Sequence, residues 1–122
     1  MKEKLIINVN TWLHREGAGV SSLLRTKDGK RCCLGIYLQD NCGISPSHLR
    51  GVSSPDLTRV PLDTLPPWLL ERREEDQAFN SPLVEKLMSV NDERESLEEA
   101  TRAEIKQLFA QANIDVEYVE ED

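Results

Sequence analysis

The stretch SLEEATRAEIKQLFAQANIDVEY, residues 96–118, changes its period partway along, and that change decides the fold class. Up to Asn113 the apolar side chains recur at helical spacing, with Leu97, Thr101, Leu108, Phe109 and Ala112 on one stripe. Ser96 stands three residues before Glu99 as a capping box. From Ile114 the pattern alternates strictly, so Ile114, Val116 and Tyr118 share the core face of a strand. A long helix that feeds directly into a strand predicts an α+β chain.

The segments before it add mostly helices. Ser81-Pro82 reads as an N-cap with a first-turn proline, and Leu83, Val84, Leu87 and Met88 follow at helical spacing until Asn91-Asp92 ends the helix. Cys33, Leu34, Tyr37, Leu38 and Cys42 mark another, with Gly43 as its left-handed cap and Ile44 folding back onto the last turn. Ser45-Pro46 starts one short turn carrying His48 and Leu49. Asp28-Gly29 suits a tight turn between Leu24 and Arg31, with a short strand beside it. At the start, Leu5, Val9, Trp12 and Leu13 fall on one helical stripe that Gly17-Ala18-Gly19 closes, so a first helix is expected there. Pro55, Pro61, Pro66 and Pro67 break all periodicity, so residues 51–80 are expected to be an irregular Pro-rich connection in which Leu65–Leu70 either seals the core edge or covers a site. The expectation is a helix-dominated α+β fold of about four helices with a small β element that includes a C-terminal strand. It forms a single domain over residues 1–122, with an acidic tail at 120–122.

Composition excludes several classes. With 122 residues, 39% apolar and 30% charged, the chain is long enough and apolar enough to fold around one core, so disorder and fibrous repeats are disfavoured. No apolar run spans a bilayer, and Met1-Lys2-Glu3-Lys4 leads into a stretch broken by Asn8 and Asn10 rather than a signal-peptide core. Three Cys cannot all pair within one chain, and a bridge between Cys32 and Cys33 would be strained, so reduced thiols and a cytoplasmic setting are expected. Charge is divided unevenly. Residues 1–60 hold nine Lys/Arg against five Asp/Glu, and residues 61–122 hold six against seventeen, within a net charge of −7. That layout favours a partner or a small anion on the basic side and disfavours duplex nucleic acid.

Few residues have the spacing that catalysis requires. Cys32, Cys33, Cys42, His14 and His48 match no common zinc pattern, so no metal and no cofactor are expected. Cys32, beside Arg31 at a helix start, is the candidate for a reactive thiol if the chain is a Cys-dependent enzyme. No glycine-rich phosphate loop is present. The parts for binding a small anion are at hand: Lys30, Arg31, Arg50 and Arg59 as cations, and Trp12, Tyr37 and Trp68 as stacking faces. An exposed apolar face on the C-terminal helix or strand would invite self-association into a homo-oligomer.

At Gly29-Lys30-Arg31-Cys32-Cys33-Leu34-Gly35-Ile36-Tyr37, followed by Cys42-Gly43-Ile44, the chain resembles a group of small bacteriophage and prophage proteins that carry a Gly-Lys-x-Cys-Cys-Leu-Gly stretch. Those proteins continue with an Asn-Asp pair, here Asn91-Asp92, and a terminal Gly-Ile-x-Val-x-Phe-like strand, here Asn113 to Tyr118. Asn113 stands for the Gly and Tyr118 for the Phe. The resemblance implies a viral accessory protein, acting in the host cytoplasm and countering host immunity, and it transfers no functional residue. The expected activity is non-enzymatic: sequestering a nucleotide immune signal or occluding a defence protein. The alternatives are a Cys-dependent enzyme and a structural adaptor.

Overall fold

The computed structural model describes residues 3–15, 22–55, 65–72, 78–95 and 97–121. Its elements are β1 (Glu3–Asn8), α1 (Cys33–Ile36) running into a π-helical turn (Tyr37–Asn41), α2 (Pro46–Leu49), β2 (Leu70–Arg72), β3 (Ala78–Asn80), α3 (Pro82–Asp92), α4 (Glu98–Ala110) and β4 (Ile114–Val119). The chain is α+β, with four α-helices and a small sheet element among the described residues, as the period change implies.

The expected first helix is instead a strand. Leu5 and Ile7 are buried while Lys4 and Ile6 are exposed, a period of two. What decides it is β4, which pairs with β1 in parallel from Glu3↔Ile114 to Asn8↔Val119 and takes up the backbone groups of β1 that face it. Ile114 and Val116 lie on the same buried face as Leu5 and Ile7. Lys4 meets Glu117 at 3.4 Å on the outer face. β1 and β4 are therefore neighbours although over a hundred residues of sequence separate them, as a parallel pair needs a crossover rather than a hairpin.

α3 and α4 form where the caps and stripes predict. Ser81 Oγ accepts from Val84 N at 3.2 Å, and Val84, Leu87 and Asn91 face inward. In α4 the buried stripe is Thr101, Ile105, Leu108 and Phe109, and α4 packs on both α3 and β4. The cap is Leu97, one residue after the expected Ser96, which lies outside the described residues. Leu97 is 77% exposed and so belongs to no stripe. Asn113 takes φ 63°, the left-handed cap that releases the chain into β4.

α1 is shorter than the sequence suggests because Tyr37 to Asn41 widen into the π-turn, closed by Cys42 N donating to Tyr37 O at 3.2 Å. Gly43 follows at φ +71°, and Ile44 folds back with its N–H on Leu38 O at 3.1 Å. The Asp28-Gly29 turn also forms, and Ser45 caps α2. The strand expected beside that turn is reduced to single bridges, Trp12↔Arg31 and Leu24↔Arg50. The 51–80 connection is only partly irregular: Leu70 pairs with Asn80 and Arg72 with Ala78 in an antiparallel ladder. That ladder begins after the last proline of the segment, where amide donors are available again. Residues 16–21, 56–64 and 73–77 lie outside the described residues. They include the Gly17-Ala18-Gly19 break, Arg59 and Pro61. Among the described residues no helix is long and apolar enough to cross a membrane.

Candidate functional site

Asn91, buried near the end of α3, organises the region around the cysteines. Its Oδ1 accepts from Trp12 Nε1 at 2.8 Å and from Cys33 N at 3.1 Å, and its Nδ2 donates to Leu13 O at 3.0 Å and Asp92 Oδ1 at 3.1 Å. One carboxamide thus ties α3 to the start of α1 and to the segment after β1. Trp12 is 2% exposed and stacks on His14 at 3.7 Å, so it is a structural ring with no face left open to a ligand. His14 in turn bridges Trp12 O and Glu98 Oε1, at 3.0 Å and 2.9 Å. That contact, with Arg102 next to it, holds the Glu98 carboxyl below the usual range.

The expected cations do not converge. Arg31 Nη1 donates to Asp40 Oδ1 at 2.9 Å and Gln39 Oε1 at 3.0 Å. Lys30 contributes its backbone N–H to Asp28, whose carboxyl is held well below the usual range by the Arg25 guanidinium. Arg50 is exposed beside Leu24, and Arg59 is outside the described residues. Lys30, Arg31 and Arg50 line neither cleft of the helical segment that runs from Cys32 to Cys42.

Two expected aromatics do meet. Tyr37 and Trp68 lie 5.3 Å apart, and each also touches Phe109. Trp68 Nε1 donates to Tyr37 Oη at 3.4 Å, and Tyr37 Oη donates to Glu3 Oε1 at 3.3 Å. Asn41 Nδ2 donates to Glu3 Oε2 at 3.1 Å. Beside them opens a groove of about 540 Å³ lined by Glu3, Lys4, Tyr37, Asp40, Asn41, Cys42 and Pro66. The volume suits a drug-sized ligand. The wall is rich in acceptors, however, with two carboxylates against one ammonium. Burial pushes the Tyr37 phenol well up and the Cys42 thiol up to about 11.

The second cleft, about 150 Å³, lies between α1 and α3 and is lined by Cys32, Cys33, Leu34, Ser53, Met88, Asn91 and Asp92. Its floor is mostly apolar. Burial pushes the Cys32 thiol up to about 11 and the Cys33 thiol well above its ordinary value, and Asp92 adds to both shifts. Arg31 and the helix start do not outweigh that burial, so the expected activation of Cys32 is reversed. Among the described residues no group of His, Cys, Asp and Glu is placed to hold a metal.

Glu3, Asn41, Met88, Ser53 and Asp92 were not singled out as site residues by sequence reasoning. Only Asp92 had a signal, as half of the Asn-Asp pair. No family model, curated protein or solved structure matches the chain.

Proposed function

We propose that this chain is a viral accessory protein that works by binding, and that it counters host antiviral defence by occluding a defence protein. The supporting observation is the sign of the exposed surface on the C-terminal elements. Glu85, Glu93, Glu99, Glu104, Glu117 and Glu120 all face solvent there, and residues 61–122 carry eleven more acidic than basic side chains. A predominantly acidic surface, in which Lys86, Arg94 and Lys106 are also exposed, steers a basic partner onto this side and disfavours acidic ones. The viral origin rests on the likeness of Gly29 to Tyr37 to the phage proteins.

Nucleotide capture draws less support. The groove large enough for a nucleotide carries Glu3 and Asp40, and Arg31 and Arg25 are already paired with carboxylates. A thiol-dependent enzyme also draws less support, because Cys32 at about 11 is almost entirely protonated near neutral pH.

The test is reconstitution. A tagged chain captures its partner from host lysate, and the purified pair is run on gel filtration at low and high salt. A complex that forms at low salt and weakens as screening rises supports occlusion. Recovery of an intact nucleotide from the heat-denatured chain, with no protein complex, contradicts it.

A further inference from the structure

We propose that the outer edge of β1 is the seat of the partner protein, and that it takes one extended basic segment of that partner as an added antiparallel strand. The inference rests on the reading of the chain as a protein that occludes another protein.

The backbone offers the seat. Glu3 N donates to Asn113 O at 3.2 Å and Val9 N to Val119 O at 2.9 Å, so the odd-numbered residues of β1 face β4 in this parallel ladder. Lys4, Ile6 and Asn8 therefore turn their backbone groups the other way. The sheet has two strands, and among the described residues no strand pairs with that second edge of β1. Lys4 O accepts from Asn41 Nδ2 at 2.9 Å and Asn8 O from Thr11 N at 3.1 Å. Lys4 N, Ile6 N, Ile6 O and Asn8 N are left. An antiparallel strand centred opposite Ile6 bonds all of them, with a pair of bonds at Ile6 and one at each neighbour. The far edge of β4 is guarded instead: Lys106 Nζ reaches over it and donates to Val116 O at 2.7 Å, and a lysine in that place opposes strand addition.

The side chains choose the occupant. Ile6 is 48% exposed in the middle of the outer face, and only Leu97 is a more exposed large apolar side chain among the described residues. An apolar residue on the added strand directly opposite Ile6 covers it. The groove of about 540 Å³ opens beside the start of the same edge, because Glu3 and Lys4 line it together with the Asn41 that bonds Lys4 O. Glu3 and Asp40 make that groove acidic, and its one ammonium, Lys4, lies 3.4 Å from Glu117. The end of the added strand that reaches the groove is therefore favoured when basic and disfavoured when acidic. In an antiparallel pair that end is the C-terminal one. Main-chain bonds supply attachment, and the apolar and basic side chains supply selectivity.

The test titrates the peptide acetyl-Thr-Val-Thr-Val-Thr-Arg-Arg-amide into the full chain and follows backbone amide NMR shifts and hydrogen exchange. One comparison peptide is N-methylated at the central valine, and another carries Glu-Glu in place of Arg-Arg. Saturable shifts centred on Lys4, Ile6 and Asn8, with slowed exchange at Ile6, are expected for the basic peptide. Both comparison peptides should bind at least about tenfold more weakly. Ile6→Pro removes the edge donor while leaving the ladder to β4 intact, since that N–H points away from β4, and Ile6→Lys places a charge at an exposed position. Each should weaken binding by a similar factor in a chain whose spectrum is otherwise folded. Shifts elsewhere or none, equal binding of either comparison peptide, or full binding by folded Ile6→Lys would overturn the proposal. So would a concentration-dependent dimer that Ile6→Lys dissolves and that forms without peptide binding, because a second copy would then hold the edge. A host complex that survives Ile6→Lys sinks the edge site and leaves occlusion standing. Peptide binding with the expected dependences but no host complex upholds the edge site and sinks occlusion.

Discussion

At Gly35 a methyl group would stand 1.7 Å from the Leu23 carbonyl oxygen, a backbone atom that cannot swing aside. The glycine of the Cys-Cys-Leu-Gly stretch is therefore a packing residue that lets α1 lie against the chain at Leu23. Gly35→Ala should cost about 3 kcal/mol or more, read as a lower urea midpoint, and a loss under about 1 kcal/mol would contradict the close approach. The motif was visible in the sequence, but its reason was not, because Leu23 is twelve residues away. The thiols illustrate the same limit. A helix start and Arg31 suggested activation of Cys32, and only the packing reveals that burial dominates. Alkylation of Cys32 and Cys33 by iodoacetamide near neutral pH should be slower than that of free cysteine, and a faster rate would contradict the burial. The linkage has a definite sign. Below the ordinary value of 9.0 the Cys32 thiol is neutral in both folded and unfolded chains, and between 9.0 and about 11 only the unfolded chain ionises. Stability should accordingly fall as pH rises through that window, and less steeply in Cys32→Ala.

Among the elements, β1 is the instructive case. Leu5, Val9 and Trp12 fit a helix, and Leu5 with Ile7 fits a strand, so the local pattern permits both. Pairing with β4, over a hundred residues away, settles the choice, and no local signal carries that information. β4 itself was legible because Asn113 and strict alternation mark its start and its face. Ile7 and Ile6 provide the test. Ile7→Ala should cost about 2–5 kcal/mol, whereas Ile6→Ala, on the exposed face, should stay within about 0.5 kcal/mol. Comparable losses at the two positions, in chemical denaturation, would contradict the strand. The ladder of β2 and β3 was hidden by the prolines before it, which made the whole of residues 51–80 read as irregular. The caps at Ser45, Ser81 and Gly43 were readable because each depends only on its immediate neighbours. The candidate clefts were not. Glu3 meets Tyr37 and Asn41 only because β1 lies beside the π-turn, and Asp92 meets Cys32 only because Asn91 pins α3 to α1.

Over the whole molecule, charge is the property that links the sequence most directly to the proposed function. The division between a basic first half and an acidic second half is present in the chain itself, and the structure places Glu85, Glu99, Glu104, Asp115 and Glu117 of α3, α4 and β4 on the outside. The basic half is used differently from what its composition suggests, since Arg31 and Arg25 are held by Asp40 and Asp28 rather than gathered around an anion. What remains is an exposed acidic surface, on which the proposal of occlusion rests, beside two thiols, Cys32 and Cys33, whose ionisation burial opposes. Occlusion and catalysis differ most plainly in stoichiometry. The decisive measurement is inhibition of the captured host protein as a function of the amount of chain added and of time. A blocking protein gives inhibition that saturates at a fixed ratio of chain to target, does not deepen with time, and leaves the target's mass unchanged. Progressive inactivation by substoichiometric chain, with an altered target mass, would contradict the account.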